Sequence, residues 1–280
     1  MDVPFFSVII PVHNSEKYLT KCLQSVINQT CKNYECLIID DFSTDMSALI
    51  YQKVCKNNEN FKYICLLENK GVSEARNEGI RNSNGKCILF LDSDDWWENN
   101  ILEEIIKVYD DNTLIQFGFM GYKNQKQITF LPTNTQNMVL SGSMATVWSF
   151  AFPKNIIQGL TFNTNLCAGE DYLFVNQAFA NSKKSIIIKK ALYNYYFDHP
   201  NSLMNKKDLR NIIDQIESTK QVERIYEETK RKIQKKQIKK RKTWCKWMFL
   251  KWYFCLFKTK RNKYIQKVEN FIAYGLAKIF

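Results

Sequence analysis

Along the first 120 residues, short apolar runs alternate with stretches whose apolar positions recur at helical spacing. "FFSVIIPVHN" predicts a strand ending at Pro11. "SEKYLTKCLQSVINQ" predicts a helix capped by Ser15, with Leu19, Cys22, Leu23, Val26 and Ile27 as its apolar stripe. The alternation continues through "YECLIID" (strand), "STDMSALIYQKVCKNN" (helix), "FKYICLLE" (strand), "GVSEARNEGIRNSNG" (helix), "KCILFLD" (strand), "ENNILEEIIKVYDD" (helix) and "TLIQFGFMGY" (strand). Strands alternating with helices at this pace predict an α/β fold with a parallel, doubly wound sheet, whose ligands bind beyond the carboxyl ends of the strands.

Beyond residue 120 the pattern loosens. "QKQITFLPTNTQ" reads as a hairpin or loop, "ATVWSFAFPK" as a strand, and "AGEDYLFVNQAFANS" as a helix with two acids in its first turn. "SIIIKKALYNYYFDHPNSL" is expected to supply two strands and a loop. A charged, helix-like stretch follows, and then "TWCKWMFLKWYFCLFKTKRNK", where tryptophans and other aromatics alternate with lysines.

Charge divides the chain. The net +12 conceals +15 in residues 205–280 and −3 in residues 1–204. The basic character belongs to a tail, so a nucleic-acid-binding reading of the whole chain loses its main support and no nucleic-acid partner is expected. Trp and Tyr suit a lipid headgroup zone, and Lys stems can snorkel to anionic phosphates, so the tail is expected to lie on an anionic membrane surface. The alternative is a helical subdomain packed on the core. The nine cysteines are scattered without a CxxC pair and read as thiols of a reducing compartment. The start lacks the features of a signal peptide, and no apolar run reaches the ~20 residues of a membrane span. The expected location is therefore cytoplasmic, peripheral on the inner face of the membrane.

The candidate chemistry sits at strand ends. "CILFLDSDDWW" places Asp92, Asp94 and Asp95 at the carboxyl end of an apolar strand, where three acids repel one another unless a cation sits among them. Asp92 and Asp94, in D-x-D spacing, suit a hard divalent cation, Mn²⁺ or Mg²⁺, bridging two phosphates. Pro11–Glu16 and Asp40–Asp45 lie at two other strand ends and are expected in the same crevice.

Four blocks in order, "SVIIPVHNSEKYLTKCLQSVINQT", "LIIDDFSTD", "ENKGVSEARNEGIRNSNGKCILFLDSDD" and "GED", resemble the family 2 glycosyltransferases. The resemblance runs from about Ser7 to about Ser202. It implies a GT-A fold, with a mixed, mostly parallel sheet flanked by helices. Residues 1–204 would form the catalytic domain, with a nucleotide-binding half (1–119) and an acceptor half (120–204), and residues 205–280 a basic, aromatic helical extension. It further implies that Pro11, His13, Asn14, Glu16 and Asp41 line the base and ribose pocket, with Asp41 on the uracil edge. Arg76 and Ser93 would lie against the nucleotide, while Asp92 and Asp94 would take the diphosphate through the metal. Asp171 would be the catalytic base with Glu170 beside it, and His199 would lie near a loop touching the diphosphate. The implied activity is inverting, metal-dependent transfer from a UDP-sugar to a hydroxyl of a lipid-linked or surface glycan such as lipooligosaccharide or capsule. Phe42 departs from the family, which commonly has a small residue there. Two other readings are a non-catalytic sugar-nucleotide-binding or scaffold protein and a haloacid-dehalogenase-type phosphatase. The phosphatase needs a small hydroxyl residue where Trp96 stands.

Overall fold

The computed structural model describes residues 3–124, 126–197, 208–229 and 235–259, with side chains as far as Leu250. Its first half follows the predicted alternation: β1 (Phe6–Val12), α1 (Leu19–Ile27), β2 (Tyr34–Asp40), α2 (Ser47–Cys55), β3 (Phe61–Cys65), α3 (Val72–Asn82) and β4 (Cys87–Phe90). Then come β5 (Trp96–Trp97), α4 (Ile101–Ile106), β6 (Thr113–Lys123), the hairpin partner β7 (Lys126–Phe130), α5 (Thr135–Ser141), β8 (Phe150–Pro153) and α6 (Lys154–Ile157). The remaining elements are α7 (Glu170–Asn181), β9 (Lys184–Tyr196), α8 (Leu209–Glu228) and α9 (Lys235–Thr259).

All these strands join one sheet of order β3-β2-β1-β4-β8-β6-β9-β5, with β7 on β6. Strands β1 to β4 are mutually parallel, as are β6 and β9. Between the two parallel groups lies β8, antiparallel to both β4 and β6, and β5 closes the far edge antiparallel to β9. The sheet is thus mixed and mostly parallel, as the resemblance implies, and not wholly parallel as the periodicity alone predicts.

Alternate residues of β1 feed two cores. Phe6, Val8, Ile10 and Val12 pack with Leu19, Cys22, Leu23 and Val26 of α1, whereas Ile9 packs with Ala75 of α3 and the apolar face of α7. Both faces are covered, so the strands read as continuous apolar runs. Gly79 lets α3 lie close on the sheet, since a Cβ there would sit 2.3 Å from Ile9 Cγ2. That close approach brings Arg76, one turn earlier, over the strand ends.

Several local expectations change. β1 runs through Pro11 to Val12. Ser15 caps nothing: α1 starts at Leu19 without a side-chain cap, and Ser15 Oγ meets Ser93 Oγ at 2.6 Å instead. The two strands expected after residue 184 are one strand of 13 residues, kept continuous by register shifts opposite Phe117–Phe119. His199 lies outside the described residues.

The C-terminal helices pack on the core. Val222 and Tyr226 of α8 and Ile238 of α9 are buried with Tyr172, Leu173 and Val175 of α7. Among the described residues, no helix is long and apolar enough to cross a membrane.

Candidate active site

The loops after β1 and β2 are clasped by their own side chains. Asn14 takes a left-handed conformation (φ 51°), and its Oδ1 accepts from Thr44 N at 2.8 Å. Glu16 Oε2 accepts from Met46 N at 3.1 Å, while Asp45 Oδ2 accepts from Glu16 N at 2.9 Å. Phe42 also sits at φ 60°, a costly place for a bulky residue. The flanking hydrogen bonds, Ser43 N to Asp40 Oδ1 (2.9 Å) and Asp41 N to Val12 O (2.8 Å), hold it there.

Asp41 is buried, and its two oxygens accept from Lys70 N (2.7 Å) and Gly71 N (2.8 Å). It ties the end of β2 to the loop that opens α3. His13 Nδ1 donates to the Asp41 carbonyl at 2.8 Å, so its Nε2 is the acceptor for Asn14 Nδ2 at 3.2 Å. His13, Asn14 and Glu16 therefore gather with Asp41 where the ends of β1 and β2 meet, and Pro11 lies two residues back inside β1.

The second cluster centres on Arg76, which is 4% exposed. The family resemblance places this residue against the nucleotide. In the structure its guanidinium joins three carboxylates from two distant elements. Nη2 donates to Asp92 Oδ1 at 3.0 Å, Nη1 donates to Asp171 Oδ1 at 2.7 Å, and Nη1 lies 3.6 Å from Glu170 Oε1. The other oxygen of Asp171 accepts from Val147 N at 3.2 Å. Asp92 and the Glu170–Asp171 pair, far apart in sequence, thus share one cation. The side chains of Glu170 and Asp171 keep 16% and 19% of their surface exposed, enough for a substrate atom to reach them.

Asp95 does not belong with Asp92 and Asp94 as an open acid. It is 1% exposed, with Oδ2 accepting from the Tyr193 hydroxyl (2.6 Å) and Oδ1 from Tyr196 N (2.9 Å). Tyr193 Oη also accepts from Asp92 N at 3.2 Å, so β9 anchors the whole D-x-D turn. Burial first, then the charges of Asp94 and Asp92, push the Asp95 carboxyl well above the usual range. Sequence reading missed Tyr193 and Val147, whose contacts come from elements with no motif of their own.

Electrostatics separates the two acids at the start of α7. Burial, and then the charge of Asp171, raise Glu170 to about 8. Burial also raises Asp171, against the pull of Arg76. Burial alone would lower Arg76, but Asp171, Asp92 and Glu170 outweigh it and hold it above its ordinary value. Arg76 at 2.7 Å and the Val147 N–H on its other oxygen favour the charged form of Asp171 over that of Glu170, which lies 3.6 Å from the same guanidinium. A raised folded-state carboxyl contributes stability below its unfolded pKa, and this is lost as pH rises through the folded value, here from about 4.5 to about 8. Glu170→Gln should therefore raise the melting temperature relative to the parent chain at pH 9, with the difference shrinking toward pH 5. Equal shifts at both pH values would count against this proton placement.

Asp92 and Asp94 are hard oxygen donors, and among the described residues no group of three His, Cys, Asp or Glu side chains is assembled to hold a metal. Two carboxylates without a full protein cage fit Mg²⁺ or Mn²⁺, which commonly complete their coordination with substrate phosphates and water.

Residues 7–178 match the Glycosyl transferase family 2 profile. Over 210 residues the chain is 30% identical to "Glycosyltransferase GlyA" of Streptococcus pneumoniae serotype 4, covering 68% of this chain and 30% of that protein. Over 213 residues it is 29% identical to "Minor teichoic acid biosynthesis protein GgaB" of Bacillus subtilis, covering 68% of this chain and 23% of that one. The chain thus spans less than a third of either relative's length. Among solved structures, S. aureus TarS 1–349 in complex with UDP-GlcNAc superposes with a TM-score of 0.67 at 22% identity, covering 77% of this chain and 66% of that one. This last likeness shows a shared fold.

Proposed function

We propose, from the fact that this chain belongs to glycosyl transferase family 2, that it moves a sugar from a UDP-sugar to a hydroxyl of a bacterial surface glycan or its lipid-linked precursor. The observation that carries the reading is the convergence of Asp92 with Glu170 and Asp171 on one buried arginine, beside the paired loops of β1 and β2. The UDP and UDP-GlcNAc complexes of the TarS structures support the choice of nucleotide, and the name of GgaB supports the acceptor class.

Pro11, His13, Asn14 and Glu16 line the base and ribose pocket, with Asp41 on the uracil edge. Each Asp41 oxygen already accepts one backbone N–H and has a second lone pair for a ring N–H. Ser93 and Arg76 lie on the nucleotide side. Asp92 and Asp94 are the residues that would hold Mn²⁺ or Mg²⁺, and the ion's chemistry is to neutralise the charge developing on the diphosphate leaving group. Asp171 takes the acceptor hydroxyl proton as that oxygen attacks the anomeric carbon. Arg76 and the Val147 N–H keep the base carboxylate ionised and aimed. A single displacement inverts the centre. Protonated Glu170 beside it limits the negative charge that the cleft must hold.

Calorimetric titration of UDP with and without Mn²⁺ tests this reading, followed by a donor panel scored by UDP release. Asp94→Ala should abolish turnover and remove the metal stimulation of UDP binding, because a hard ligand is lost. Metal-stimulated UDP binding of parental strength in Asp94→Ala would overturn the metal assignment.

The working location is the inner face of the cytoplasmic membrane, and α9 supplies the reason. Its inward positions, Ile238, Arg241, Cys245 and Phe249, are buried. The outward positions present exposed Lys239, Lys240 and Lys246 with Trp244, Trp247 and Leu250, and residues 235–259 contain no Asp or Glu. Each surface Lys near anionic lipid adds on the order of 1 kcal/mol.

A further inference from the structure

The matched family profile ends at residue 178, yet α8, which starts at Leu209, touches the segment that carries the base. Asp214 of α8 is 8% exposed, and its Oδ2 accepts from Cys167 N at 2.8 Å, four residues before Asp171. Gly169, directly before Glu170, has φ +86°, and a Cβ on it would lie 2.5 Å from Ser218 Oγ of α8. On the other side of the acid pair, the Tyr172 ring carries the Arg241 guanidinium of α9 at 4.6 Å. Arg241 Nη2 in turn donates to Gln215 Oε1 of α8. The two C-terminal helices therefore grip the chain immediately before Glu170 and immediately after Asp171.

We propose that this extension is a working part of the active site, and that Asp214 is a positioning residue that sets where the carboxylates of Glu170 and Asp171 lie. The proposal rests on the reading of Asp171 as the base. The physical need is plain. α7 begins without a side-chain cap, at a glycine in the left-handed region; Arg76 and Val147 N hold the Asp171 side chain, and the backbone leading into the first turn takes its hold from another element. Asp214 supplies the missing restraint by taking the backbone N–H of Cys167, and Ser218 leaves room at residue 169 for glycine alone. A base must sit within hydrogen-bond reach of the proton it takes, and small misplacements have large effects on rate. Donor contacts on β1, β2 and β4 lie on other elements and do not pass through Asp214.

The role of Asp214 is that of a hydrogen-bond acceptor, which asparagine can also fill. Full-length parent, Asp214→Ala and Asp214→Asn are compared in four measurements. These are UDP affinity in Mn²⁺, UDP release from UDP-GlcNAc, thermal melting, and amide hydrogen exchange of the peptide spanning residues 163–173. Asp214→Ala is expected to keep parental UDP affinity within about twofold, to lower turnover by about 10- to 100-fold, and to exchange faster in that peptide. Asp214→Asn should restore both turnover and protection. The proposal is overturned by parental turnover in Asp214→Ala, by unchanged exchange in residues 163–173, or by loss of UDP affinity in step with turnover. Should the parent chain release no UDP from UDP-GlcNAc, that sugar is excluded and the turnover comparison uses the donor that the panel identifies, while the exchange measurement decides by itself whether Asp214 holds the base segment.

Discussion

Asp171→Asn is expected to lower turnover by about 10²- to 10⁴-fold, the usual worth of a general base, while UDP affinity stays near the parental value. Asparagine can still accept from Arg76, so the segment keeps its place, but it cannot take a proton. The neighbouring acid decides how complete the loss is. Burial raises Glu170 first, and the charge of Asp171 raises it further. Removing that charge lowers Glu170 and brings more of it into the ionised form beside Arg76. A small residual rate through Glu170 is therefore expected in the single variant, and Glu170→Gln combined with Asp171→Asn should remove it. Steady-state kinetics at saturating acceptor, with UDP titrations of both variants, tests this. A parental rate in Asp171→Asn would move the base to another residue.

Deleting residues 208–280 is expected to yield a chain that does not fold. Val222, Tyr226 and Ile238 are buried against α5 and α7, and three such side chains contribute roughly 5–9 kcal/mol at about 1.5–3 kcal/mol each. That is comparable to the whole stability of a typical domain, about 5–15 kcal/mol. Tyr226 also donates to Asn176 Oδ1 at 3.1 Å, and Asp214 holds Cys167 N, so polar partners in the core are left unmet as well. Membrane binding must instead be tested on the outward face. Lys239→Glu, Lys240→Glu and Trp247→Ser together should keep the melting temperature and UDP affinity but release the chain from anionic vesicles. Parental binding should weaken with salt without vanishing, because screening shortens the reach of lysine and leaves apolar contact untouched. Undiminished co-sedimentation of the triple variant would rule out this face as the lipid contact. A soluble, UDP-binding deletion product would show that the helices are dispensable.

Much of residues 1–119 is legible from period alone. Residues 34–40 read as a strand of the observed bounds, and the α1 stripe predicts the face that is buried, because both depend on neighbours a few positions away. The D-x-D turn and the loops after β1 and β2 are legible as a group for the same reason, since strand ends in such sheets share one edge. Period carries less beyond residue 120, where the hairpin of β6 and β7 is recognisable but the single long strand β9 is not. Its register shifts against β6 break the alternation that would have marked it as continuous.

Local pattern by itself thus determined the element types from β1 to β4, the parallel frame of those strands and the rim where the acids gather. Tertiary structure alone decided the rest. It inserted β8 antiparallel between the two parallel groups, buried Asp95 under Tyr193, and brought Arg76 between Asp92 and the Glu170–Asp171 pair. It also gave the basic-aromatic tail a helix, α9, with an inward and an outward side. The reason is physical: propensity and period act over a turn or a few strand residues. Whether a charged side chain meets water, a cation or a tyrosine depends on which distant segment packs over it.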